Sequence, residues 1–377
     1  MSDPPGEVSL IGQDELRSAA LVQTWRELAE ARSNPFITPE WMFAWLRSHP
    51  SESEFALAWR RNGELRGVLP LVRASKGPLK ILRFAGARRA DWVTPACRPG
   101  DEGEMARACA AFLDRERSWH VLRIDRLDED SAWPEALRGR GPNTIAVAPR
   151  RRRDVLPYVE FDQRGYDGYL ADRSRNFRSQ LGRRRRRLER DHGLAFRMTA
   201  SPEELADDLD DFFRLHDERW SKRGGSSSGD PQTREHLRLF AQAALERGWL
   251  RLWTAEADGV AAASWYGWRI GHRYCYALAG LDGEFERLNL GSVLLAHTIE
   301  QAAAEGARVY DMMWGEEAYK RRFETGRRYA STWLFARRRH PARIVVVAGV
   351  RLARTAEALP PWLRRPLARI AGAGGRS

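Results

Sequence analysis

LRLWTAEADGVAAASWYGW, residues 250–268, reads as two strands folded back on each other at Asp258-Gly259. Aspartate then glycine between two apolar runs is a strong hairpin signal, because a tight two-residue turn needs positive φ at both positions. FALAWRRNGELRGVLPLV, residues 55–72, repeats the arrangement with Asn62-Gly63 at the turn. After each hairpin come an extended segment (81–93; 272–281), a stretch patterned as a helix (103–116; 292–305) and another apolar strand (120–124; 308–313). Met105, Ala108, Cys109, Phe112 and Leu113 recur with helical period in the first stretch, and Val293, Leu294, Ala296, His297, Ile299 and Ala303 in the second. The chain thus holds two copies of one β-β-β-α-β unit, offset by roughly 190 residues. The fold class is α/β, with two mixed-sheet units and flanking helices.

PRRRRDVLPY, residues 149–158, separates the copies as a proline-bounded basic linker. The expected domains are 1–150, 151–340 and a basic tail, 341–377. The second domain opens with helices: one over 166–192, and another over 202–222 begun by Ser201 as N-cap with Glu204 three residues on. GGSSSGD, residues 224–230, reads as a loop, either a plain surface connection or a mobile flap.

The composition is that of a globular protein, with 43% hydrophobic residues and 15 Trp, 14 Phe and 9 Tyr in 377 residues. Cys97, Cys109 and Cys275 lack disulfide or zinc spacing, and the eight histidines lack the HExxH pattern, so no metal is expected. GxSxG is absent, and Cys275 between Tyr274 and Tyr276 reads as packing. The first residues carry acids and prolines without an apolar core, and the longest late apolar run, 344–350, is far short of the roughly 20 residues that span a bilayer. A cytoplasmic location is expected, with residues 341–377 either packed on their own domain or resting on an anionic membrane surface.

Net charge is +12, yet lysine occurs only at 76, 80, 222 and 320. So arginine-rich a chain is explained as well by GC-rich coding as by a polyanionic partner. The local run Arg183 to Arg187 covers more than one helical turn and points several ways around its axis. It can meet a phosphate-bearing ligand, a tRNA or other anionic polymer, or the acids Asp207, Asp208, Asp210 and Asp211.

A strand that leads into Asn289, Gly291 and Ser292 at a helix start puts free N–H groups and the positive helix end where a phosphate can sit, although an ordinary N-cap looks the same. Residues 176–193 (NFRSQLGRRRRRLERDHG), 215–224 (LHDERWSKRG), 289–306 and 310–323 carry a resemblance. The chain resembles the GNAT acyltransferase superfamily, and more narrowly the BioF2-like acetyltransferase group that includes CelD-type cellulose-biosynthesis proteins, with the Fem aminoacyltransferases of peptidoglycan synthesis as relatives. The resemblance spans about residues 34–336. It implies a tandem GNAT fold in which acetyl-CoA, or another activated acyl donor, gives its acyl group to an amine. One departure stands out: Arg287-Leu-Asn-Leu-Gly-Ser meets the family's pyrophosphate loop only in part, with Leu290 where the first glycine belongs. The Fem relatives use aminoacyl-tRNA as donor.

Acyl transfer to an amine needs a proton acceptor near the amine, and donors for the oxyanion and the departing thiolate. Asp311, ending an apolar strand, is the first candidate acceptor, with Glu316 and Glu317 on the next loop as alternates. Tyr319 and Lys320 are the candidate donors, Arg287, Asn289, Gly291 and Ser292 the candidate donor-phosphate site. His216 and Trp220, four apart on one helix, are candidate acceptor-pocket residues. By the resemblance the first copy is a degenerate GNAT unit whose Asp91 and Trp92 help to shape the acceptor groove. The expected activity is transfer of acetyl from acetyl-CoA to an amine on a small, saccharide-linked or envelope-linked acceptor. The alternatives are a Fem-like aminoacyl-tRNA-dependent transferase and a catalytically silent binding subunit of a polysaccharide biosynthesis system.

Overall fold

Both Gly-containing turns take the backbone that their residues were read to require: φ is 53° and 80° at Asn62 and Gly63, and 54° and 78° at Asp258 and Gly259. The computed structural model describes residues 6–139, 143–147, 153–221 and 230–341 apart from residue 88, with 343, 344, 347, 348, 350 and 351. The chain forms two units, one of residues up to Val155 and from Arg328 on, the other Leu156–Arg327.

The first unit begins with β1 (Glu7–Leu10), α1 (Gln13–Leu16), α2 (Ala19–Ala31) and α3 (Pro39–Ser48). The hairpin follows as β2 (Ser53–Arg61) and β3 (Glu64–Lys76), then β4 (Leu79–Phe84) and the short β5 (Ala96–Cys97). Helix α4 (Glu102–Arg115) crosses back to β6 (Val121–Asp128), which lies parallel to β4, and α5 (Trp133–Gly139) and β7 (Thr144–Val147) complete the segment. Residues 81–93 do not extend as one strand. The chain leaves the sheet after Phe84, where Trp41 Nε1 donates to Ala85 O at 3.0 Å and Gly86 turns at φ 64° against the same indole.

In the second unit β8 (Asp154–Glu160) leads into α6 (Gly165–Ala171), α7 (Arg175–His192) and β9 (Ala195–Met198). The single helix expected over 166–192 is two helices: Ser174 Oγ accepts the Phe177 N–H at 3.2 Å and starts a new one. Two further helices, α8 (Pro202–Ser221) and α9 (Pro231–Glu246), precede the hairpin β10 (Leu250–Ala257) and β11 (Val260–Ile270). Ser201 caps α8 through the Glu204 N–H at 3.4 Å. Residues 222–229, most of the expected flap, lie outside the described residues. Strand β12 (Arg273–Leu281), α10 (Gly283–Glu286), α11 (Leu290–Ala304), β13 (Val309–Asp311) and α12 (Lys320–Phe323) finish the unit. Its strands run in the order β8-β13-β12-β11-β10-β9, with β12 and β13 parallel.

Side chains alternate across this sheet as period two demands. Tyr266 and Trp268 meet Phe212 of α8 and Phe240 of α9, whereas Trp265, Tyr274 and Tyr310 join a core with α11, Tyr169 and Phe177. The last strand, β14 (Gly326–Arg337), pairs antiparallel with β6 and β7, strands of the first unit. The second unit therefore ends at Arg327, short of the 340 expected from the sequence. Of the tail 341–377 too few residues are described to place a fold.

Candidate active site

Strands β12 and β13 pair over only three residues each, Arg273–Cys275 with Val309–Asp311. Past that point β12 continues to Leu281 while β13 turns away. The partner register along β12 also slips, Tyr266 facing Leu278 and Gly267 facing Tyr276, which leaves Ala277 as a bulge. Two strands that part beside a bulge leave a gap with an unladdered strand edge.

Asp311 stands where they part, fully buried. Its Oδ2 takes a hydrogen bond from Arg273 Nη1 at 2.9 Å and its Oδ1 one from the Met313 N–H at 2.9 Å, with Met313 at φ 57°. The carboxylate ties β12 to the sharp turn that follows β13.

That turn carries the next group. Lys320 is 4% exposed, and its Nζ donates to Trp314 O at 2.9 Å, pairs with Glu317 Oε2 at 3.1 Å and lies 6.0 Å over the Tyr276 ring. Gly315, at φ 134°, leaves room for the Glu317 carboxylate, which a β-carbon there would meet at 2.2 Å. The ammonium thus draws the loop 314–320 closed. Glu316 is exposed on it, 4.0 Å from Arg321.

Tyr319 opens α12, and its hydroxyl donates to Tyr276 Oη at 3.2 Å. The Arg219 guanidinium, from the last turn of α8, also bonds Tyr276. Burial pushes the Tyr319 phenol well up, with Tyr276 and Glu317 adding to it and Arg219 opposing, so the hydroxyl keeps its proton at neutral pH. For Arg219 burial acts downward, yet Tyr276 and Tyr319 carry the net shift upward. The sequence pointed to neither Tyr276 nor Arg219. In a chain this rich in arginine only the His216-Arg219 spacing of three hinted that Arg219 follows His216 along α8.

The start of α11 forms without a side-chain cap. Asn289 adopts φ 60°, and its carbonyl takes the Ser292 and Val293 N–H groups at 3.0 and 3.3 Å. Among the described residues the Leu290 and Gly291 N–H groups donate to nothing. A β-carbon at Gly291 would meet only Leu281 Cδ2, at 3.4 Å, so the glycine adjoins the end of β12 and leaves space. Arg287 is exposed and Ser292 half-buried, whereas Leu290 is fully buried. The residue that breaks the pyrophosphate-loop pattern is a core residue.

His216 is 1% exposed, and its Nδ1–H donates to Ala279 O at 3.0 Å beside the bulge. Gly280 permits this approach, since a β-carbon there would stand 2.6 Å from Leu215 Cβ. His216 therefore joins α8 to β12. The Trp220 side chain lies outside the described residues. Asp91 and Trp92 are both buried in the first unit, where Arg328 covers the Trp92 ring at 4.7 Å. Among the described residues no group of three or more His, Cys, Asp or Glu is placed to hold a metal ion, and no helix is long and apolar enough to cross a membrane.

Residues 175–321 match the family model described as acetyltransferase (GNAT) domain. No curated protein matches the chain. Among solved structures, FemX is similar, with a TM-score of 0.59 at 13% identity over 83% of this chain and 95% of that one. The C-terminal DUF2156 domain of a putative lysylphosphatidylglycerol synthetase from Agrobacterium fabrum gives 0.52 at 12% identity over 87% and 93%. L-PGS from Bacillus licheniformis gives 0.52 at 12% over 89% and 97%. At such identities the likeness is one of fold.

Proposed function

We propose that this chain, an acyltransferase with a GNAT domain over residues 175–321, transfers acetyl from acetyl-CoA to an amine of a small, saccharide-linked or envelope-linked acceptor. The observation that carries the reading is the gap between β12 and β13, with Tyr276 and Tyr319 joined across its side and the open N–H groups of α11 beside the end of β12.

Each demand of the chemistry is assigned a group. The unladdered edge of β12 past Cys275 offers N–H and C=O groups to an extended, amide-bearing donor arm, as a sheet edge does to an added strand. The Leu290 and Gly291 N–H groups and the helix end attract the donor's phosphates. As the amine nitrogen bonds the acyl carbon, the C–S bond breaks and the thiolate takes a proton from the Tyr319 hydroxyl, while the amine gives a proton to Glu316, directly or through water. Lys320 and Asp311 keep these groups in register, the first by closing the 314–320 loop, the second by fixing the turn after β13.

Calorimetric titration of the full chain with acetyl-CoA, free CoA and a nonspecific RNA at two salt concentrations tests the reading. Saturable CoA binding that Gly291→Phe abolishes, with the fold intact, is the expected result. Absence of CoA binding beside salt-sensitive RNA binding would replace acetyl-CoA by an aminoacyl-tRNA donor.

A further inference from the structure

Helix α7 does not spend its arginines on the acids of α8. Arg197 holds Asp208, Arg238 holds Asp210 and Arg214 holds Asp211. Within the run, Arg185 pairs with Glu189 and Glu300, and Arg187 with Asp191. Arg183 and Arg184, like Arg322 of α12, have no carboxylate partner among the described residues. These three lie together. Arg322 Nη2 donates to Gln180 Oε1 at 3.2 Å and its guanidinium sits 5.9 Å over the Phe177 ring, while Gln180 shares a helix face with Arg183 and Arg184, three and four residues on. Partial burial, and after it the positive charges of Arg322 and Arg183, draw the Arg184 pKa down.

The grouping is held in place. Phe177 packs edge-on against Phe323 at 5.1 Å, Tyr169 donates to Phe323 O at 2.9 Å, and Arg173 donates to Glu324 O at 2.9 Å, so α12 is pinned to α6 and α7. Like charges carried side by side on pinned helices repel one another, and a dianion between them removes that repulsion. The cluster begins one helical turn from Tyr319, whose carbonyl takes the Arg322 N–H at 3.1 Å. Among the described residues the exposed large apolar side chains are Leu10, Val260, Tyr329 and Ile344, and none of them lies on α7 or α12.

We propose that Arg183, Arg184 and Arg322 form a second anion site beside the place of transfer, and that it receives a phosphate or diphosphate carried by a soluble amine acceptor. The inference rests on the transfer reading above, with the donor's phosphates assigned to the start of α11.

The test titrates the full chain with inorganic pyrophosphate at constant ionic strength, with and without saturating CoA. Wild type, Arg184→Gln/Arg322→Gln and Gly291→Phe are compared, and Arg184→Lys guards against a folding defect because it keeps the charge and loses the fork. Pyrophosphate should bind with CoA present, weaken about tenfold in the double variant, and bind Gly291→Phe as it binds wild type. Absence of pyrophosphate binding, equal binding by the double variant, or displacement of pyrophosphate by CoA would overturn the inference. So would loss, in the double variant, of binding to phosphatidylglycerol vesicles or to RNA that pyrophosphate cannot displace. If CoA fails to bind while the pyrophosphate pattern holds, the donor reading falls and the anion site stands. If CoA binds and pyrophosphate does not, the reverse follows.

Discussion

Tyr319 gives its hydroxyl proton to Tyr276 Oη at 3.2 Å, beside the gap where β12 and β13 have ceased to pair. A phenol held this way is oriented before any donor arrives. Tyr319→Phe keeps the ring and removes the proton. Turnover should fall about a hundredfold or more, the range for loss of a positioned acid, with the melting temperature nearly unchanged and KM for acetyl-CoA little moved. Unchanged turnover would return Tyr319 to a packing role.

Asp311 should answer differently. Both of its oxygens are engaged in a fully buried site, so Asp311→Asn keeps the acceptor for the Met313 N–H and discards the charge opposite Arg273. Breaking one side of a buried ion pair costs about 3 kcal/mol, to be read from denaturant midpoints. A hundredfold loss of turnover at wild-type stability would instead make this carboxylate the proton acceptor.

Two glycines separate close packing from open space. Gly280→Ala forces a methyl to within 2.6 Å of Leu215 Cβ, and the shift of α8 that relieves it should cost about 1–3 kcal/mol in thermal or chemical unfolding. Gly291→Ala meets only a leucine methyl at 3.4 Å and should leave stability within about 0.5 kcal/mol of wild type.

His297 sets an acid limit. It is stacked on Phe196 at 4.0 Å and edge-on to Trp253 at 4.8 Å, and neither ring nitrogen has a hydrogen-bond partner among the described residues. Burial, then the Arg185 charge, lowers its pKa from 6.5 to about 4. The unfolded chain takes up this proton first as pH falls, so the stabilisation is complete above pH 6.5 and is lost as pH drops toward about 4. His297→Phe should flatten the stability profile in that window by up to about 1 kcal/mol per pH unit. Parallel profiles for the two proteins would refute the assignment.

The hairpins could be read from the sequence because their turns depend on two adjacent residues, and both crossover helices because their apolar spacing is local. Other features depend on contacts remote in the chain. Ser174 divides a pattern that periodicity alone continues, and Trp41 ends β4 from more than forty residues away. The loop 314–320 falls within residues 310–323, which carry the family resemblance, whereas the atoms that Lys320 reaches, Trp314 O and Glu317 Oε2, are not legible in that motif. Tyr276 faces the gap only because the β12 ladder stops at Cys275, a fact that no spacing in the sequence encodes.

Because β14, which pairs with β6 and β7, is made almost wholly after Leu156–Arg327, the second unit is topologically an insertion in the first. On the ribosome, the earlier unit must wait with an open β6 edge until nearly the whole length has emerged. A chain cut before Gly326 would therefore be expected to damage its amino-terminal half most. Proteolysis or expression trials that divide the protein at a single point between β6 and β14 would leave one fragment with a missing strand, whereas excising a cassette that ends at Thr325 keeps β6 and the whole of β14 in one chain.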